Sequence, residues 1–105
     1  MKILFDQGTP LPLRKFLSGH AVFTLRFLGW STFSNGILLD KAERENFDCF
    51  VTTDRNLKYQ QNLSTRKIAI FALSTTNWNL IRPRAFEIAA AIGNVKPGTY
   101  AEFAI

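Results

Sequence analysis

A chain of 105 residues, 47% of them hydrophobic and ten of them phenylalanine, is long enough to bury one core and too short for two; a single domain over residues 1–105 is expected rather than a disordered tail. Thirteen Lys and Arg against eight Asp and Glu leave a net charge of +5, a field that favours RNA or an acidic partner, although basic residues scattered singly and in pairs also suit an ordinary solvated surface. One cysteine excludes an intrachain disulfide framework, and the longest apolar stretch, Ile68 to Leu73, falls far short of the ~20 residues that cross a bilayer.

In chain order, Lys2 to Phe5 reads as a strand. Gly8-Thr9-Pro10 then opens a helix, with Thr9 as N-cap and Pro10 at the first helical position; Leu11, Leu13, Phe16 and Leu17 supply its apolar pattern before Ser18-Gly19. Ala21 to Leu28, bounded by glycines, is expected to be the second strand. After the loop Trp30 to Phe33, Ser34 caps a second helix running to about Asn46, with Phe33 placed to pack on Leu38 as a hydrophobic staple.

Cys49 to Thr53 is the third strand, Asn56 to Leu63 a short polar helix, and Lys67 to Leu73 a fourth strand apolar enough to be buried on both faces. Pro83 lies near the first turn of a last helix whose apolar positions include Phe86, Ala89, Ala90 and Ile92, and Gly93 ends it. Thr99 to Ile105 alternates, with Ala101, Phe103 and Ile105 on one face, as an edge strand does. Strands alternating with helices at these lengths imply βαβ crossovers: a three-layer α/β fold, its mostly parallel sheet of about five strands covered on both faces.

Two strands end in the same way, at Phe5-Asp6 and at Thr52-Thr53-Asp54. In a parallel sheet both carboxylates emerge at one edge, where open α/β sheets place their ligands, and such a pair suits a divalent metal. Capping and turn formation are the competing roles: Asp54 can cap the helix that follows, and Asp6 can open the turn Asp6-Gln7-Gly8. His20 is the only histidine, so neither a Ser-His-Asp triad nor a histidine-rich metal site can be assembled. The lone Cys49 sits in an apolar run and reads as an inert, buried thiol of a cytoplasmic protein; no apolar leader precedes Asp6, and no signal peptide is expected.

The segments MKILFDQGTPLPLRKFL, Gly19-His20, Ser34-Asn35-Gly36-Ile37-Leu38-Leu39 and VTTDRNLKYQQNL together resemble the small PIN-like domains of bacteria, over nearly the whole chain. Thr52-Thr53-Asp54-Arg55-Asn56-Leu57 is the most specific part. The resemblance implies the PIN nuclease fold and a Mg2+- or Mn2+-dependent endoribonuclease acting on single-stranded RNA, as the toxin of a toxin–antitoxin pair. It also implies acids after the first strand, at the start of the second helix and twice after the third strand. By position these are Asp6, Gln7, Asn35, Asp54 and Asn56. Asp6 and Asp54 are therefore the expected catalytic metal ligands, and the amides Gln7, Asn35 and Asn56 are expected as polar groups around them. The partners to consider are RNA, an antitoxin protein and a second copy of the chain as a homodimer, with no membrane.

The amides matter physically. Two ionised carboxylates about 5 Å apart repel by ~3 kcal/mol at an effective dielectric of 20, so an acid cluster calls for a cation or a proton. An amide instead donates a hydrogen bond, and the group can satisfy itself without metal; a catalytically degenerate module that binds RNA or protein is the alternative. Mg2+ nevertheless commonly uses only one or two protein carboxylates, with waters and substrate phosphate completing its shell. Directly after Asp54, Arg55, Lys58 and Tyr59 are suited to hold a phosphate backbone and stack on an unpaired base, with Arg14 and Lys15 as weaker companions; an exposed polar helix is the plain reading of the same residues. Trp30 and Phe33 read either as a partner-binding patch or as core packing.

Overall fold

The computed structural model describes all residues, Met1 to Ile105. Five strands form one sheet in the order β2-β1-β3-β4-β5, every neighbouring pair parallel. They are β1 (Lys2–Phe5), β2 (Ala21–Thr24), β3 (Cys49–Thr52), β4 (Ala69–Leu73) and β5 (Tyr100–Phe103), and the helices between them are α1 (Leu25–Leu28), α2 (Asn35–Arg44), α3 (Leu57–Gln60), α4 (Trp78–Ile81) and α5 (Ala85–Gly93). No helix is long and apolar enough to cross a membrane.

Alternation along the strands divides the interior into two cores and so makes three layers. Ile3, Phe5, Cys49, Val51, Phe71 and Leu73 face one side, where Leu13, Leu17, Ile81, Ala85, Ile88 and Ile92 cover them. Leu4, Phe50 and Ile70 face the other, beneath Leu25, Leu38, Leu39, Ala42 and Leu57. β3 and β4 lie in the middle of the sheet and every one of their residues is buried, as continuous apolar runs require. β5 is an edge strand, with Ala101, Phe103 and Ile105 on the first core and Tyr100 on the second, as the alternation from Thr99 to Ile105 predicts.

Local chemistry redraws several boundaries. The Thr9 hydroxyl donates to the Val51 carbonyl at 3.0 Å instead of capping a helix. With Pro10 and Pro12 lacking donors, Leu11–Phe16 winds as a 3-10 helix, with Leu13 N bonded to Pro10 O and Leu17 N to Arg14 O. The second strand stops at Thr24, whose hydroxyl caps Phe27 N at 3.1 Å, and Gly29 at φ 74° closes α1; cap chemistry outweighs the β-propensity of the run to Leu28. α2 ends at Arg44, before Asn46 at φ 63°.

Two further differences concern the C-terminal half. α3 is shorter than the Asn56–Leu63 expectation. Pro83 belongs to a 3-10 link, Arg82–Arg84, between the unforeseen α4 and α5, and the inward stripe of α5 is Ala85, Ile88 and Ile92, leaving Phe86 80% exposed. Two isoleucines four residues apart define the buried face more strongly than scattered alanines.

Candidate active site at the carboxyl edge of the sheet

The chain passes from β1 outward to β2 and then returns across β1 to begin β3, so the order reverses between β1 and β3. At such a reversal the crossovers leave in opposite directions and a crevice opens beyond the strand ends. The register pairs Phe5 with Val51, which sets Asp6 beside Thr52. Asp6 N continues the ladder to Val51 O at 2.8 Å, fixing the backbone from which the carboxylate projects.

Thr52 is the hinge of this corner and is fully buried. Its hydroxyl donates to Asp6 Oδ2 at 2.7 Å and accepts from Asp54 N at 3.0 Å, so one side chain ties the first strand end to the third. Asp6 Oδ1 accepts Gln7 N at 2.8 Å, and Asp54 Oδ1 accepts Asn56 N at 2.9 Å. The turn role foreseen for Asp6 is thus present, whereas Asp54 closes a turn just before α3, whose N-cap position is Asn56, rather than capping the helix; the donors at Gln7 and Asn56 are main-chain N–H groups rather than the side-chain amides. Gly8 lies so close to β3 that a Cβ there would stand 2.3 Å from Thr53 Oγ1, and Thr53 would have to rotate.

Beside Asp6 a crevice of about 310 Å³ opens toward β2, with Gln7, Thr24, Arg26 and Ser31 as polar wall. Arg26 entered no sequence argument because it fell inside the expected strand. The Thr24 cap and the Gly29 terminator were the signals that would have placed it on a helix at this edge. Asn35 begins α2 after Ser34 and is half-buried, with no side-chain hydrogen bond to Asp6 or Asp54.

At the other end of the same edge, α3 meets β5. Arg55, Asn56, Lys58 and Tyr59 surround Glu102 in an open recess of about 390 Å³. Lys58 forms an ion pair with Glu102, and its ammonium stands 5.1 Å from the Tyr59 ring centre and 5.9 Å from that of Tyr100. The hydrogen bond between them raises the Lys58 pKa and lowers that of Glu102. Burial raises the Tyr100 pKa, and its hydroxyl has no hydrogen-bond partner. Arg14 is not part of this group: it lines a recess with Val22 and Phe27 beside β2, the opposite edge strand.

The remaining candidates are structural. Trp30 and Phe33 pack on the second core, each with the Lys41 ammonium over its ring, at 5.7 and 5.0 Å. His20 Nδ1 lies 2.9 Å from the amino terminus. Cys49 is fully buried, and desolvation pushes its thiol up to about 12, so it is no nucleophile at neutral pH.

No cluster of three or more His, Cys, Asp and Glu side chains is arranged to hold a metal. The donor set still fits a hard divalent ion in a limited way: Asp54 Oδ2 has no hydrogen-bond partner, and each Asp6 oxygen accepts a single bond, leaving lone pairs for coordination. No protein-family model matches the chain, and neither a curated protein nor a solved structure matches it.

Proposed function

We propose that this chain is a PIN-like endoribonuclease for single-stranded RNA, assisted by Mg2+ or Mn2+ and acting in the cytoplasm as the toxin of a toxin–antitoxin pair. The observation that carries this reading is the convergence of Asp6 and Asp54 on Thr52 at the strand reversal. Asp6 and Asp54 would hold the ion, and the Thr52 hydroxyl fixes the Asp6 carboxylate and the Asp54 backbone. Bound there, a divalent ion supplies Lewis-acid stabilisation of the phosphoryl and leaving oxygens. Arg55 and Lys58 hold neighbouring phosphates, Tyr59 stacks on an unpaired base, and Arg14 is left to a more distant stretch of the strand.

A second reading is a degenerate PIN-like module that binds RNA or a protein partner without cutting. It is favoured by the absence of a third acid: Gln7, Asn35 and Asn56 occupy the positions the family pattern fills with carboxylates.

Metal binding and cleavage measured together separate the two. Millimolar Mn2+ should raise the wild-type melting temperature, because an ion held by the native state alone stabilises it by mass action. Asp6→Asn with Asp54→Asn should abolish the rise together with any Mn2+-dependent cleavage of RNA. An equal rise in the double variant removes the metal site. A rise without cleavage in the wild type supports the degenerate module, and Gln7→Glu or Asn56→Asp should then strengthen Mn2+ binding by supplying the missing charge.

A further inference from the structure

A carboxylate is electrostatically misplaced in a surface that tracks phosphate, yet Glu102 stands among Arg55, Lys58 and Tyr59 in the recess at the end of β5. We propose that Glu102 reads guanine: the base enters this recess, stacks on Tyr59, and presents its adjacent N1–H and N2–H donors to the two carboxylate oxygens. The inference rests on the RNA-binding reading above and names the base that reading leaves open.

Three observations support it. Tyr59 is 78% exposed, so its ring is open to a base once the Lys58 ammonium, 5.1 Å from the ring centre, moves to a phosphate. The hydrogen bond from Lys58, followed by that ammonium's charge, holds Glu102 below the usual carboxylate range, so at neutral pH it only accepts. The Lys58–Glu102 pair is exposed, with side-chain accessibilities of 33% and 52%. A pair that wet gains little from its own contact, so exchanging it for two new contacts costs little. The exchange releases Lys58 to a phosphate while Glu102 takes the base.

Guanine is the base this chemistry selects. Adenine and cytosine offer only an exocyclic amine beside a ring acceptor, which would face a carboxylate oxygen, and uracil offers one ring N–H between two carbonyls. Wrong bases therefore meet like-signed lone pairs, which discriminates against them as well as favouring guanine.

The test is fluorescence anisotropy of the full chain with short oligouridines carrying one central guanosine, adenosine, cytidine or inosine, at low salt in EDTA. Guanosine should bind about tenfold tighter than adenosine or uridine, the discrimination of a good bidentate base contact. Inosine, which lacks the N2 amine, should fall between them. Glu102→Gln should abolish the preference while leaving binding of the plain oligouridine equal or tighter, and Tyr59→Ala should weaken all oligonucleotides alike. Equal binding of all four oligonucleotides by the wild type, or a preference that survives Glu102→Gln, overturns the inference and leaves the RNA reading standing. Absence of binding to every oligonucleotide overturns both.

Discussion

The acid corner and the basic corner share one edge of the sheet but are held together differently. At Asp6 and Asp54 the partners are main-chain N–H groups and a hydroxyl with no solvent access. At Lys58 and Glu102 the partners are two long side chains in contact with water. Main-chain donors one or two residues away and one buried hydroxyl leave little conformational freedom, whereas an exposed ion pair between two long side chains is screened and readily exchanged. The acid corner thus resembles a preorganised site, and the basic corner a surface that rearranges around a ligand.

The largest expected effect breaks the acid corner. Thr52→Val keeps the shape but removes the hydroxyl that Asp6 accepts from and Asp54 N donates to. It should cost about 2 kcal/mol in urea unfolding, because a part-buried N–H loses its acceptor and a carboxylate its donor. A loss near zero would mean that water replaces the hydroxyl and that the corner is no more rigid than its neighbour.

Glu43, at the opposite edge of the sheet, sharpens the contrast between a carboxylate held by the protein and one held in water. Burial works to raise its pKa, but hydrogen bonds from Arg66, Lys67 N and Ile68 N prevail and lower it. A carboxylate with a lowered folded pKa stabilises the protein above its unfolded value, and that contribution is lost as pH falls through the folded value. Stability should therefore decline in acid more steeply in the wild type than in Glu43→Gln, with Glu43→Gln about 1–2 kcal/mol less stable at neutral pH. Identical pH profiles in thermal melts would show that the Arg66 network contributes nothing specific.

The smallest stability effect belongs to the basic corner. Lys58→Ala should leave the melting temperature unchanged while making the slope of log affinity for RNA against log salt shallower by about 1, since one released counterion is lost. A destabilised Lys58→Ala would mean that the ion pair helps hold α3 to β5, and the contrast between the corners would fail.

The fold class was legible because apolar runs at Lys2–Phe5, Cys49–Thr53 and Lys67–Leu73 alternate with capped helical patterns, and such a chain has few ways to bury both faces of a sheet. Asp6 and Asp54 were legible as strand-end acids for the same reason. Their coupling was not, because Thr52 becomes a link only when register sets it beside Asp6, and register is a contact between strands more than forty residues apart in sequence. Glu102 was equally hidden: it joins Lys58 across forty-four residues once β5 pairs with β4. Local composition determined the cores of the five strands and the two strand ends that carry acid, but not where the second strand stops. Which side chains meet at the sheet edge was decided by strand order and register, because a hydrogen bond or a stacking face depends on ångström placement that no single segment specifies.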